Sequence, residues 1–454
     1  MIWDLIVIGG GPAGYLAAQR AARGGLATLL IEKKHIGGVC LNEGCIPSKT
    51  LLYSAKVLDS AKNSSKYGVS IEKASLEQEL VLKRKNKVVK TLVTGVQSKL
   101  RSSGVTVIDG FAEITGGDSQ SFNIRVNGEV HTGKRLLIAT GSAPFIPSLP
   151  GLPEGLEKGF VLTNREILDL TTVPSSLAII GGGVIGLEMA SYFNSAGSKV
   201  TVVEMLDHIS GESDPDIAQF LQKTLQKKGV QFKLGAGVTE IQEQGVSFTQ
   251  NGETATLPAE KVLLSIGRKP VTEGFGLENT GVLMDKGRIV TDEKGETNIP
   301  GIFAAGDVNG LSMLAHTAYR EAEVVINNIL GGPDRINYSA IPNVIYTNPE
   351  VASVGLTEKS ALQKGLEYET AKISMRYSGR FLAENEGEDG ICKLLVDKKD
   401  QRLLGVHLLG NYASEIIYGA GLMVEQNLKL PDLKKIIFPH PTVSEIIREA
   451  LFEI

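Results

Sequence analysis

The chain opens on an apolar run, Leu5–Ile8, which breaks at the glycine-rich stretch 9–14. It resumes with helical spacing over 15–23 and then gives a second apolar run over 27–32. A short continuous apolar run bounded by turn residues predicts a strand buried on both faces, so the series reads strand, turn, helix, strand. The same series recurs over 177–180, 181–186, 187–196 and 200–204. Between the copies, the pattern predicts an amphipathic helix after Cys45, with Leu51, Leu52, Ala55 and Leu58 on one face, and a long helix over about 76–100. Short β-rich runs follow at 104–108, Phe122–Val126 and 136–139, ahead of a Pro- and Gly-rich linker at 144–153. After the second copy, 301–308 reads as strand and turn. From about Tyr338 onward glycine fingerprints are absent, and strands at 392–396 and Leu403–Leu409 with two helices predict an α+β module.

The fold class expected is therefore α/β: two Rossmann-like dinucleotide-binding domains followed by a C-terminal α+β domain. The expected division is a first dinucleotide domain over 1–143 and 268–337, a second over 144–267, and the C-terminal domain over 338–454. A length of 454 residues allows two to four domains at roughly 100–200 residues each. With 42% apolar and 22% charged residues, the composition is that of a soluble globular protein. The net charge of −4 gives no electrostatic reason for a polyanionic partner. The basic stretch Lys83, Arg84, Lys85, Lys87, Lys90 alternates with Leu80, Val81, Val88, Val89, Leu92 and Val96, and is expected to be a solvated helix face. No run of about 18 apolar residues suggests a membrane span, and the first strand leaves no room for a signal peptide. A cytoplasmic location is expected.

The glycines carry the first chemical signal. Gly9, Gly11 and Gly14 follow a strand and open a helix, and Glu32 falls at the end of the next strand. Such a turn lets backbone approach a pyrophosphate at a helix N-terminus with no Cβ in the way, and the acid can accept ribose hydroxyls. Gly181, Gly183, Gly186 and Glu204 repeat the pattern. An acid at Glu204 favours NAD over NADP, whose 2′-phosphate it would repel, and no arginine follows it over 205–209.

Three cysteines occur, and two are close: Cys40 and Cys45 within the segment 37–49. Gly44 allows the chain between them to turn, so a disulfide can form. Pro47 suits the first turn of a helix starting near Cys45, where the helix dipole favours the thiolate, and Lys49 lies one turn on. A zinc site would need more ligands than the nearby His35 offers, so no metal is expected. Cys392 reads as core. Two dinucleotide folds and one cysteine pair together point to electrons passing between a nicotinamide, a flavin and a disulfide.

With these motifs the chain resembles the pyridine nucleotide–disulfide oxidoreductases, in particular the lipoamide dehydrogenases among them. The resemblance runs nearly the full length. It rests on the two glycine turns, the cysteine segment, Ala139-Thr140-Gly141, Gly267-Arg268-Lys269-Pro270, Ala305-Gly306-Asp307, Met313-Leu314-Ala315-His316, Tyr346-Thr347-Asn348-Pro349-Glu350 and the motif from His440 to Glu445. It implies FAD on the first glycine turn and NAD on the second. Lys49, Gly110, Thr140, Gly141, Ser142, Asp307, Met313, Leu314, Ala315 and His316 would border FAD. Glu188 would pair with the lysine beside the flavin and move on nicotinamide binding, and Val238 and Gly267 would line the NAD site.

The resemblance also implies a homodimer built on the C-terminal domain. In it His440 of one subunit would reach the disulfide of the other, oriented and made more basic by Glu445. From the residues alone, Thr442-x-x-Glu445 reads equally well as a helix capping box. Implied too are dihydrolipoamide oxidation with NAD reduction, and a lipoyl-bearing partner in a multienzyme complex. Alternatives are a glutathione-reductase-like enzyme, in which Ser48 would commonly be lysine, and a non-catalytic flavoprotein scaffold. Two departures from the family pattern stand out: Phe438-Pro439 where His-Ala is common, and Ala190 where a glycine is frequent.

Overall fold

The computed structural model describes residues 1–117 and 121–454. They form two compact units, each discontinuous in sequence. One comprises Met1–Thr50, Lys83–Ile146 and Gly267–Asn337; the other comprises Leu51–Leu82, Pro147–Ile266 and Tyr338–Ile454. No helix among the described residues is long and apolar enough to cross a membrane.

The first unit is built on a parallel sheet of five strands, in the order Ile302–Ala304, Leu136–Ile138, Leu5–Ile8, Thr28–Glu32, Thr106–Asp109. Its central strands are apolar throughout because both faces are covered. Leu5 and Val7 point into a core made with the helices Pro12–Arg23 and Ala315–Ile329. Ile6 and Ile8 point the other way, into a core shared with Phe122–Val126 and its antiparallel neighbours in a second sheet.

The second unit repeats this plan. Its parallel sheet runs Val161–Leu162, Lys261–Leu264, Ser176–Ile180, Lys199–Val203, Gln231–Lys233. Counted from the strand before each glycine turn, four strands of each sheet run fourth, first, second, third, with one further strand beside the fourth: Ile302–Ala304 in the first unit and Val161–Leu162, which precedes the turn, in the second. The chain reverses direction across the sheet between the first and fourth strands, so each glycine turn lies where ligands bind in such sheets. A separate antiparallel sheet of five strands, from Asn343–Ile345 to Tyr368–Ser374, has Leu403–Leu409 at its centre. It is packed by the helices Ala413–Glu425 and Glu445–Phe452 around a core of its own.

Three expectations need adjustment. Both glycine-turn helices start about a turn earlier than the apolar pattern indicates, at Pro12 and Val184. The first residue in one case is proline, which needs no N–H partner there. The linker ends in a short helix, Leu152–Glu157, anchored by fully buried Leu152. The basic stretch on the helix Gln78–Ser102 is only partly solvated, since Lys85 is buried and Arg84 Nη1 donates to Thr50 O at 3.0 Å.

Candidate functional site

At the first glycine turn, Gly9 takes φ +105°, and a Cβ on it would stand 2.2 Å from the Ala139 carbonyl oxygen. A Cβ on Gly14 would stand 1.8 Å from the oxygen of Gly9. These two glycines are required by the fold. Gly11 is different: its backbone is ordinary extended chain (φ −74°, ψ −172°), and the nearest atom to a Cβ there would be 3.9 Å away. Gly11 precedes the helix Pro12–Arg23, which has no side-chain cap and no acid in its first turn. Nothing among the described residues of the unit explains a glycine or an uncapped helix start at this point; such a turn leaves backbone open to an anion. Glu32 braces the turn, accepting from Gly10 N at 2.6 Å through Oε2 and from Lys34 N at 2.7 Å through Oε1.

The second turn reproduces this arrangement in detail. Gly181 has φ +103°, and a Cβ on Gly186 would lie 2.1 Å from the Gly181 oxygen. Gly183, at φ −79°, has no atom within 4 Å of a Cβ position. Glu204 Oε2 accepts from Gly182 N at 2.6 Å, and Oε1 from Leu206 N at 2.8 Å.

The cysteine segment lies directly on the first turn: Gly37 N donates to Gly10 O at 2.8 Å, and a Cβ on Gly38 would meet Gly11 Cα at 2.7 Å. Cys40 sits in the short helix Gly38–Asn42, whose Asn42 Nδ2 donates to Gly38 O at 2.9 Å. Cys45 is the first residue of the helix Cys45–Lys62, with Lys49 a turn along it. The two thiols are hydrogen-bonded. That bond, then burial and the Cys45 charge, push the Cys40 thiol up; Lys49 opposes them.

Of the remaining first-unit residues, Ser142 meets Asp307. Asp307 follows Gly306 in the turn Asp307–Asn309, and its Oδ2 accepts from Ser142 Oγ at 2.5 Å. Thr140 Oγ1 donates to Val271 O at 2.6 Å, and Gly141 takes φ +72°. Gly110 N donates to Glu32 O at 2.9 Å. Met313 and Leu314 lead into the helix Ala315–Ile329, which begins with Ala315 and exposed His316 and again lacks a side-chain cap or first-turn acid. Gly267 belongs to this unit and Val238 to the other.

In the second unit Glu188 is buried, and its Oε1 accepts from Tyr346 N at 3.1 Å. His440 and Glu445 meet, Nδ1 to Oε1, at 2.9 Å. Glu445 Oε2 also accepts from Thr442 N at 2.8 Å. The capping-box reading is not met: the helix Glu445–Phe452 has Ser444 at its N-cap without a side-chain cap, and Thr442 Oγ1 donates to Pro439 O. The Thr442 N–H, more than the imidazole, holds the Glu445 carboxyl below its ordinary range.

A model of the pyridine nucleotide-disulphide oxidoreductase family matches residues 3–322, and a model of that family's dimerisation domain matches residues 341–451. The chain belongs to this family. Among curated proteins it is similar to the dihydrolipoyl dehydrogenase of Chlamydia muridarum, 38% identical over 99% of this chain and 96% of that one. It is likewise similar to the dihydrolipoyl dehydrogenase of Bacillus subtilis, 39% identical over 99% and 97%. Among solved structures, LpdA from Mycobacterium tuberculosis is 28% identical and matches with a TM-score of 0.90 over 99% of each chain.

Within this member of the pyridine nucleotide-disulphide oxidoreductases, Glu321 escaped the motif reading, and Arg268 appeared in a motif without a role. Buried Glu321 accepts from Gly306 N at 2.5 Å and from Asn309 Nδ2 at 2.9 Å, so it fixes the turn that carries Asp307. An acid on the otherwise apolar stripe of Ala318, Ala322 and Val325 was the available signal. Arg268 donates to Ser142 Oγ at 2.7 Å and to Ser142 O at 2.8 Å, setting the hydroxyl that meets Asp307.

Proposed function

We propose that the chain is a dihydrolipoyl dehydrogenase, an FAD enzyme that oxidises dihydrolipoamide on a carrier protein and reduces NAD+. The domains would be residues 1–143 with 268–337 for FAD, 144–267 for NAD and 338–454 for a homodimer interface, working in the cytoplasm. The observation that carries the reading is the cysteine segment seated on the first glycine turn. It joins a dithiol couple to a cradle whose Gly11 has no internal reason to be glycine.

Bound FAD would pass the electron pair between the cysteine pair and the nicotinamide, chemistry that belongs to the cofactor. The chain supplies placement and proton control. Gly11, Glu32, Ser142 and Asp307 would hold the FAD, and Gly183 and Glu204 the NAD. With Nδ1–H donated to Glu445, the Nε2 of His440, supplied by the partner subunit, is the basic nitrogen. It takes a proton from one substrate thiol, and the thiolate attacks the Cys40 sulfur. One S–S bond forms, the Cys40–Cys45 bond breaks, and the electron pair leaves on Cys45. The second substrate thiolate then attacks its own mixed-disulfide sulfur, and Cys40 departs reduced. Cys45 at a helix start, with Lys49 nearby, suits the leaving thiolate.

The test is anaerobic: NAD+ reduction by dihydrolipoamide is compared with that by reduced glutathione, in the parent and in Cys45→Ser. Dihydrolipoamide is expected to be strongly preferred, and the variant to keep bound FAD while losing turnover. Preference for glutathione, or full dihydrolipoamide activity in Cys45→Ser, contradicts the proposal.

A further inference from the structure

The motif Tyr346-Thr347-Asn348-Pro349-Glu350 has no part in the scheme above, yet it closes on the helix that opens at the second glycine turn. Three polar side chains of that helix, Val184–Ala196, follow one another at three and four residues: Glu188, Ser191 and Ser195. That spacing puts them on one face. Glu188 and Ser191 are buried, and each meets a backbone N–H of the motif. Tyr346 N donates to Glu188 Oε1 at 3.1 Å, and Asn348 N donates to Ser191 Oγ at 3.3 Å. Two N–H groups two residues apart thus dock on two side chains about one helical turn apart.

Asn348 fixes the register of this docking. Its Nδ2 donates to Asp59 Oδ2 at 3.0 Å, and the same oxygen accepts from Ser195 Oγ at 3.0 Å. Asp59 therefore ties the motif to the far end of the polar stripe. Lys228 Nζ donates to the Asn348 carbonyl oxygen at 2.6 Å. Beyond Pro349, Glu350 Oε2 accepts from Ser414 Oγ at 2.7 Å, and the Glu350 carbonyl oxygen accepts from Gly410 N at 2.9 Å. A buried carboxylate that loses a donor costs more than the bond itself contributes. A slip of the motif along the helix would take the Tyr346 N–H away from Glu188. Glu188 stands one turn into the helix that follows Gly183, so its placement bears on whatever occupies the second glycine turn.

We propose that Asn348 and Ser191 are positioning residues for the nicotinamide half of the reaction: they hold the Tyr346 N–H as the seat of the Glu188 carboxylate, one turn from the second glycine turn. The proposal rests on the reading of that turn as the NAD site. These groups make and break no covalent bond; they keep one carboxylate in one place.

The test joins hydrogen exchange to separated half-reactions, both on protein with FAD bound. In Ser191→Ala the Asn348 amide loses its acceptor, and the amides of 346 and 348 are expected to exchange about threefold to tenfold faster, read by fragmentation mass spectrometry. In anaerobic stopped flow, reoxidation of the reduced enzyme by NAD+ is expected to slow by a similar factor, while reduction by dihydrolipoamide keeps its rate. Asn348→Asp sets two carboxylates against each other and should show the same split. Adding Asp59→Asn restores a donor–acceptor pair and should recover the NAD+ step. If exchange at 346 and 348 is unchanged, if both half-reactions slow alike, or if the double variant does no better than Asn348→Asp, the proposal is wrong. Should Asn348→Asp fail to retain FAD, Ser191→Ala decides alone. A parent that passes no electrons from dihydrolipoamide to NAD+ removes the enzyme reading and this proposal with it. A parent that does, with variants matching it, removes this proposal alone.

Discussion

Lys393 lies in the middle of an apolar strand with only 3% of its side chain exposed, yet three carboxylates close on it. Asp214 lies at 2.9 Å, Asp216 at 2.7 Å and Glu358 at 2.5 Å. Burial alone would pull the ammonium down, but the bonds from Asp216, Glu358 and Asp214 push it up, so it stays charged. Its cross-strand partner is His407, fully buried, with Nε2 2.9 Å from the Leu356 oxygen. For His407, burial wins and depresses the imidazole. A histidine depressed on folding binds fewer protons folded than unfolded, so its contribution is present above the ordinary imidazole value of about 6.5 and is lost as pH falls below it. His407→Gln keeps a donor for Leu356 and removes the titration. Urea midpoints measured at about pH 8 and about pH 5.5 should differ less in the variant than in the parent. Equal differences would show that the acid sensitivity comes from elsewhere. At this scale, legibility followed sequence distance. Glycines and cysteines announce their chemistry within a few positions, whereas Ser142 meets Arg268 across 126 positions and Tyr15 meets Tyr319 across 304. A motif reading has no access to such pairs.

Each glycine turn contains glycines of two kinds, which separates cofactor binding from stability at the level of the element. In the second turn Gly186 faces the Gly181 oxygen at a distance no Cβ tolerates, while Gly183 faces open space. Gly186→Ala should therefore destabilise the protein outright. Gly183→Ala should cost about 1 kcal/mol or less of stability, the order of a helix N-cap change, while raising KM for NAD+ severalfold. A thermal melt beside NAD+ kinetics distinguishes the two; a Gly183→Ala protein with unchanged KM would mean that the turn meets no phosphate. The strand–turn–helix units were readable because apolar runs and glycines sit at fixed offsets. The depth of the repeat was not. In both units three antiparallel strands, Glu113–Gly117, Phe122–Val126 and Glu129–Gly133 in one and Ala236–Gln242, Gly245–Gln250 and Glu253–Pro258 in the other, fall between the third and fourth parallel strands. Their sequences share no motif, because half-solvated hairpins need only alternation and turns.

At the scale of the whole molecule, the residues proposed for the chemistry divide between the units. Cys40, Cys45 and Lys49 belong to the first, and His440 and Glu445 to the second, within the segment that matches a dimerisation domain. The side chain of His440 is 79% exposed, so its imidazole is free to serve a sulfur outside its own unit. Which subunit's cysteines it serves can be decided by mixing two inactive proteins. In a dimer of one Cys45→Ser chain and one His440→Gln chain, a base acting across the interface leaves one site with both defects and the other with none. A base acting within its own chain leaves one defect in every site. Random reassortment makes about half of the dimers mixed, and each then carries one intact site of two, so about a quarter of wild-type activity should return. The assay is dihydrolipoamide-dependent NAD+ reduction after co-refolding or co-expression of the two variants, against each variant alone. Recovery near that level requires His440 to act on the partner's cysteines. Activity no higher than the sum of the separate variants, with mixed dimers verified by a tag on one chain, would assign the base to its own chain.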